Sequence, residues 1–341
     1  QYPDGLLPAV LPYSGVEMMY KATGSSVGWA DAVYLIPYRF YKRFGDREIL
    51  RESWPMIRKY AEYLKKNVEK DGHYEKGVHL GEWLEPEEFR DKVYGARAKH
   101  PEECTAYLCL AMTTIAEIAE ILGDPGYAET LLPIAERAKK AYAKYAERDT
   151  DRQAKLVRPL ALGLYEGGEK EAALDRLVKE AEHYDYRVGT GFLSTPFLLP
   201  VLSENGRAET AYRLLENEKS PGWLYEVGQG ATTVWESWEG DLSRNHYSPG
   251  AVTEWLFSSV CGIRMDGENR FTVAPVPGGT LTYAEARYRS IYGEIASRWE
   301  KEDGMTVHTV TVPANTTAVI RLPNGEEHNV SAGTYTFEVR I

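Results

Sequence analysis

The chain has 341 residues, 43% of them hydrophobic and 27% charged, with a formal net charge of -11. That length can bury one large core or two smaller ones. The acidic balance and the lack of any basic patch interleaved with aromatics argue against a nucleic-acid partner, which needs clustered Lys and Arg, and suit a neutral substrate.

From about Ala30 to Gly262 the pattern is helical. A first helix runs from about Ala30 to Gly45, with Pro37 inside it expected to kink it. A second follows Asp46, a suitable N-cap, and repeats Ile49, Leu50, Trp54, Ile57, Ala61 and Leu64 at three- and four-residue steps. Further helices are expected at about 102–122, 127–146, 153–165, 169–183, 195–203, 207–217 and 249–261, giving nine. Gly123-Asp124, Gly167-Gly168 and Asn205-Gly206 read as tight joints, so neighbouring helices should pair as antiparallel hairpins. No repeat of fixed period suggests a solenoid. Near Met265 the period changes to two: Phe271–Ala274, Thr306–Val312, Thr317–Leu322 and Thr334–Arg340 alternate, with turns at Pro323-Asn324-Gly325 and Ser331-Ala332-Gly333. The expectation is a mainly α domain over 1–264 followed by a small antiparallel β-sandwich over 265–341.

Cys104, Cys109 and Cys261 form neither a disulfide framework nor a metal-finger spacing and read as core thiols. His73, His79 and His100 share no metal spacing either. No uninterrupted run of about 18 apolar residues occurs, so no membrane span is expected. Gly278-Gly279 precedes no helix and is not a phosphate cradle.

The residues with most chemical content lie in Gly230-Ala-Thr-Thr-Val-Trp-Glu-Ser-Trp238 and the nearby Asn245-His246-Tyr247. Glu236 stands between two indoles and near an imidazole. Aromatic faces pack on sugar rings, and a carboxylate beside them can activate water. The residues alone leave two readings open. In one, Glu236 is a catalytic base; in the other, it is a surface carboxylate on a turn whose indoles fill the core. Trp29 and Trp83 are equally compatible with core packing and with a ligand wall. Asp31 is as suited to capping a helix as to touching a ligand, and His246 to satisfying a loop. Glu226, ten residues before Glu236, reads as structural.

The stretch 230–238 resembles Gly-Ala-Thr-Thr-x-Trp-Glu-x-Trp of the inverting α-L-rhamnosidases, a bacterial glycoside hydrolase family, and Asn245-His246-Tyr247 is similar to the Asn-His-Tyr that follows it. Gly28-Trp29-Ala30-Asp31-Ala32, Gly189-Thr190-Gly191-Phe192 with Thr195-Pro196, and Pro221-Gly222-Trp223-Leu224-Tyr225 resemble further motifs of that family in the same order. Gly81-Glu82-Trp83-Leu84 is similar to Gly-Asp-Trp-Leu, with Glu in place of the usual Asp. Tyr283–Arg287, Tyr292-Gly293 and Trp299 resemble its C-terminal β domain. The family motifs are usually separated by a longer loop than Glu239–Arg244.

The resemblance implies an (α/α)6 toroid acting on rhamnose-containing glycosides with Glu236 as general base. It assigns sugar contacts to Trp29, Asp31, Glu82, Trp83, Trp235 and His246, and no metal or other cofactor. It also implies a general acid in an Asp-Glu-Arg-x-Gly-Trp segment upstream of the region that matches Gln1–Pro12. No such sequence occurs in the chain, and nine helices fall short of twelve. The expectation is therefore a toroid incomplete at its N-terminus, with little or no turnover by the chain alone. Two other readings stay open: a non-catalytic carbohydrate-binding or scaffold fragment, and an α/α-toroid glycosidase for a different sugar.

Overall fold

The computed structural model describes residues 1–8, 26–90 and 98–340; of the Gln1–Pro12 stretch, residues 9–12 lie outside it. The chain divides into two compact units: Gln1–Leu177 with Gly189–Ser194, and Val178–Val188 with Thr195–Ile341.

The first unit is helical. Helix α1 (Ala32–Phe44) and α2 (Arg47–Asn67) are joined by Gly45, left-handed at φ 70°, and by Asp46. The Asp46 carboxylate accepts the Glu48 amide at 2.8 Å, a cap worth about 1 kcal/mol. Helix α1 continues through Pro37 to Phe44. The next pair repeats the device. Helix α3 (Pro101–Leu122) ends on Gly123 at φ 88°, and Asp124 caps α4 (Pro125–Tyr142) by accepting the Tyr127 amide. Helices α5 (Gln153–Ala161) and α6 (Gly167–His183) follow, the end of α6 passing into the second unit.

Leu50, Ile57, Tyr60 and Leu64 of α2 pack in one core with Leu108, Met112, Ile115 and Ile118 of α3. Each such side chain withdrawn from water contributes about 1.5–3 kcal/mol. Helix α3 is long and apolar enough by composition to cross a membrane, although acidic residues interrupt it, and most of that window is buried inside the protein.

The second unit carries α7 (Thr195–Glu204), α8 (Ala208–Leu215), α9 (Trp223–Gly228), α10 (Tyr247–Gly250), α11 (Val252–Trp255) and a π-helical turn, Leu256–Val260. The sequence pattern merges α10, α11 and the π turn into one helix over 249–261 and misses α9. Six residues are too few to register a 3.6-residue period. The α4 and α5 patterns also overrun, since those helices stop at Tyr142 and Ala161.

Eight strands follow: β1 (Ile263–Met265), β2 (Arg270–Val273), β3 (Tyr283–Ser290), β4 (Gly293–Glu302), β5 (Met305–Val312), β6 (Thr317–Arg321), β7 (Glu327–Val330) and β8 (Gly333–Arg340). They form two four-stranded sheets, β1-β2-β6-β7 and β3-β4-β5-β8. Every pairing is antiparallel except β2 with β6. Alternate residues of β4, Ile295, Ser297 and Trp299, point to a buried face. Trp299 is fully buried, and its indole N–H donates to the Val260 carbonyl at 2.8 Å. Ser297 donates to the Cys261 carbonyl at 2.6 Å. These two bonds close the carbonyl ends that the π turn leaves open.

Candidate functional site

The candidate residues fall into two sets, one in each unit. In the first unit, the turn Ser26–Ala30 leads into α1. Trp29 lies half-buried there, its ring 6.4 Å from that of Phe192. Its indole nitrogen is shielded from solvent and has no acceptor among the described residues. Asp31 is buried and does not cap α1 with its side chain. Its two oxygens instead accept the hydroxyls of Tyr34 (2.7 Å) and Tyr60 (3.2 Å). Burial pushes its carboxyl up to about 6, against the opposing pull of Tyr34, the Gly28 amide and Tyr60. Asp31 thus ties the start of α1 to α2.

Glu82 and Trp83 sit on the irregular stretch before the short 3-10 turn Glu87–Phe89. Glu82 is buried. One oxygen accepts the Ser194 amide at 2.7 Å, and the other accepts the Ser194 hydroxyl and the Arg158 guanidinium. The Trp83 carbonyl accepts the Phe192 amide at 2.8 Å. Segment 189–194 therefore bridges Trp29 and Trp83. It comes this close because residue 191 is glycine: a Cβ there would lie 2.5 Å from the Trp83 carbonyl oxygen and 2.7 Å from that of Glu82.

Behind Glu82 lies a cluster that sequence reasoning missed. Arg158, 1% exposed, also donates to Glu102 and lies 3.8 Å from Glu103. Tyr142 completes Glu102 at 2.6 Å. Glu85, fully buried, pairs with Arg152 at 2.5 Å, yet burial still raises its carboxyl to about 7. His79 is buried beside them. Burial drives it down to about 3, and its Nδ1 accepts the Gly81 amide. The available signals were Glu102-Glu103 opening an apolar helix and Arg158 inside Leu156–Leu160; both look like ordinary surface charges in a linear pattern.

In the second unit, Glu236 is half-buried on a loop between α9 and α10. Its amide donates to the Ser243 carbonyl at 2.8 Å, and its Oε2 accepts the Ser243 amide at 3.2 Å. The loop narrows again where the His246 amide donates to the Val234 carbonyl at 3.0 Å. The neighbouring indoles are inside: Trp235 and Trp238 are each 7% exposed. Trp238 meets Trp223 edge to face at 5.6 Å, and Trp223 donates to the Pro249 carbonyl. Gly240, at φ 71°, lets the loop cross the Trp235 ring, where a Cβ would lie 2.6 Å from the ring carbons. These contacts support the indoles as the floor under Glu236 more than as an open wall. His246 is half-buried. Its Nδ1 accepts the Ser248 amide at 3.2 Å, which in the neutral ring puts the proton on Nε2.

The bacterial α-L-rhamnosidase 6-hairpin glycosidase domain matches residues 1–260. The chain belongs to this family. The bacterial α-L-rhamnosidase C-terminal domain matches residues 264–337 of the same chain. An α-L-rhamnosidase of Streptomyces avermitilis is 32% identical over 99% of this chain and 33% of its own length. One from Formosa agariphila is 32% identical over 99% of this chain and 38% of its own length. The crystal structure of the Streptomyces avermitilis α-L-rhamnosidase complexed with L-rhamnose superimposes with a TM-score of 0.87 at 29% identity, over 100% of this chain and 35% of that one. The fold is the six-hairpin α/α toroid with a C-terminal two-sheet domain. The chain spans about a third of the length of the curated relatives it matches.

Proposed function

We propose that this chain carries the general base and part of the sugar-binding surface of an enzyme that hydrolyses terminal α-L-rhamnosides with inversion. The observation that carries the reading is Glu236. It is a half-buried carboxylate on a loop closed by two hydrogen bonds to Ser243 and floored by Trp235 and Trp238, in a sequence matching the rhamnosidase family. A carboxylate held in one orientation can take a proton from water as that water attacks the anomeric carbon and the glycosidic C–O bond breaks. The leaving oxygen needs a proton from a second carboxyl group, about 6.5–9.5 Å from the first in inverting enzymes. In this reading that acid is not supplied by residues 1–341, and the chain alone turns over little.

Trp29 and Trp83 present aromatic surface to the sugar, and His246 is a further contact to it. For Asp31 and Glu82 we propose a supporting part, because their oxygens already have internal partners. No cofactor is needed by a two-carboxylate mechanism.

The test uses the full-length parent of this chain and an aryl α-L-rhamnoside. Glu236→Gln should lower kcat by at least about 10²-fold, as loss of a general base does, with little change in KM. NMR of the first-formed sugar should give the anomer opposite to that of the substrate. Undiminished turnover in Glu236→Gln would overturn the assignment. Rhamnose binding without hydrolysis by the full-length protein would favour a purely binding role.

A further inference from the structure

Glu226 sits on α9, ten residues before Glu236, and is 3% exposed. Its backbone carbonyl accepts the Ala231 amide at 3.0 Å, and its side-chain Oε2 accepts the Trp235 amide at 3.1 Å. One residue therefore holds both ends of the five-residue stretch Ala231–Trp235, and the far end, Trp235, is the residue directly before Glu236. The other carboxyl oxygen, Oε1, is buried with no partner among the described residues.

A buried carboxylate with one oxygen unsatisfied is costly, so the site has a reason to keep it or the group would be selected apolar. A carboxyl is an unusual anchor for a single amide when a backbone carbonyl would serve. It can be ionised, as a strong acceptor, or neutral, as a weaker acceptor and a donor. Burial raises this group to about 7, opposed only by the Trp235 amide, with no charged side chain contributing. Of the ionisable groups on this loop, Glu236 is engaged with Ser243, Asp241 with the Ser237 hydroxyl, Arg244 with the Trp235 ring and the Gly240 carbonyl, and His246 with Ser248, while Glu239 is exposed.

We propose that Glu226 is a positioning residue for Glu236: it clamps the Trp235 amide, and the strength of that clamp sets how firmly the base is held. The inference rests on Glu236 being the base, but the clamp itself is independent of that assignment. When Glu226 is ionised it grips the amide most strongly. When it takes up a proton the bond weakens and the Val234–Trp235 peptide, one unit before the Trp235–Glu236 peptide, gains freedom.

The experiment is in two arms. In the chain as it stands, labelled with ¹⁵N, the Trp235 backbone amide should titrate with a midpoint near the value of Glu226, about 7. The titration should vanish in Glu226→Gln and persist in Glu236→Gln. Glu226→Ala should speed exchange of the Trp235 amide with solvent at least tenfold relative to wild type, and Glu226→Gln, which keeps an acceptor, by much less. In the full-length parent, Glu226→Gln should lower kcat on the order of tenfold with KM nearly unchanged, as misplacement of a reacting group does, and should remove a step near neutrality from the pH profile of kcat. A Trp235 amide that neither titrates nor exchanges faster in Glu226→Ala would overturn the clamp. A titrating amide with an unchanged kcat profile would overturn its coupling to the base. Should Glu236→Gln itself remain active, the base assignment fails while the first arm still judges the clamp.

Discussion

Arg158 donates to Glu82 at 2.5 Å with both side chains 1% exposed. The guanidinium is shared by Glu82, Glu102 and Glu103, which come from two separate stretches of the first unit. A buried ion pair adds little net stability over an apolar pair of the same shape, but removing one partner strands the other charge. Arg158→Met should therefore cost about 3–5 kcal/mol in urea unfolding at pH 7. Lowering the pH, which neutralises the stranded carboxylates, should recover part of that loss, whereas a loss independent of pH would mean that packing, not charge, is the cause.

The extra methylene of Glu82 relative to the usual family Asp has a use in this chain. It lets one carboxyl group reach both Arg158 and the Ser194 amide. Glu82→Asp should shorten that reach by about 1.5 Å, loosen both bonds and cost roughly 1–3 kcal/mol, the penalty for an under-satisfied buried acceptor. Thermal unfolding of the two proteins side by side checks it; equal midpoints would show that the site closes around the shorter side chain.

Gly191→Ala is a sharper probe of the two tryptophans than mutating either. The three atoms nearest the added Cβ are backbone atoms of Glu82, Trp83 and Glu85, at 2.5–2.8 Å, so no side-chain rotation relieves these contacts. The Trp83 loop must shift from segment 189–194. The expected outcome is weaker L-rhamnose binding by the full-length parent, read by calorimetry, together with an altered tryptophan emission. Unchanged affinity would separate this loop from sugar recognition.

The acid limb of stability should carry a signature of His79. Its folded value of about 3 lies below its ordinary 6.5, so below pH 6.5 the unfolded chain binds a proton that the folded one does not. The contribution is complete above pH 6.5 and is lost as pH falls toward 3, amounting to about 2 kcal/mol at pH 5. Asp31 and Glu85, both raised, oppose it: their penalty is absent in acid, grows as pH rises above their ordinary values of 3.8 and 4.5, and is complete above their folded values of about 6 and 7. His79→Asn keeps an acceptor for the Gly81 amide and should flatten the wild-type decline between pH 6.5 and 4. A parallel pH curve for the variant would assign the decline to other groups.

Trp299→Phe should destabilise the second unit by about 1–3 kcal/mol, because it leaves the Val260 carbonyl buried without its donor. Ser297→Ala, which frees the Cys261 carbonyl next to it, should cost less than additively when combined, since both bonds hold the same turn. A double-mutant cycle by chemical denaturation measures the coupling.

Much of the helical scaffold was legible because Gly45, Asp46, Gly123 and Asp124 are stop and start signals whose chemistry is local. The change of period near Met265 was legible for the same reason, since alternation is a property of neighbours in sequence. Glu236 stood out because it lies within one dense motif. What stayed hidden was assembled across the chain. Asp31 suited a helix cap and a ligand contact equally, and the tyrosines it accepts from, Tyr34 and Tyr60, left no mark in the spacing; nor did the meeting of Glu82 with Arg158 from a helix 76 residues on. No pattern of spacing records such a meeting. The parallel pairing of β2 with β6 was invisible in the same way, because alternation does not say which strand lies alongside.

That parallel pairing bears on how the chain is made. Strands β4 and β5 can zip to their predecessors as they leave the ribosome, but β2 must wait for β6. At roughly 5–20 residues per second of synthesis, the roughly fifty residues between Arg270 and Thr317 keep that edge of β2 bare for several seconds. Nascent chains stalled before residue 317 would offer it to chaperones or to one another, so slowing translation over this short interval should lower the yield of native protein.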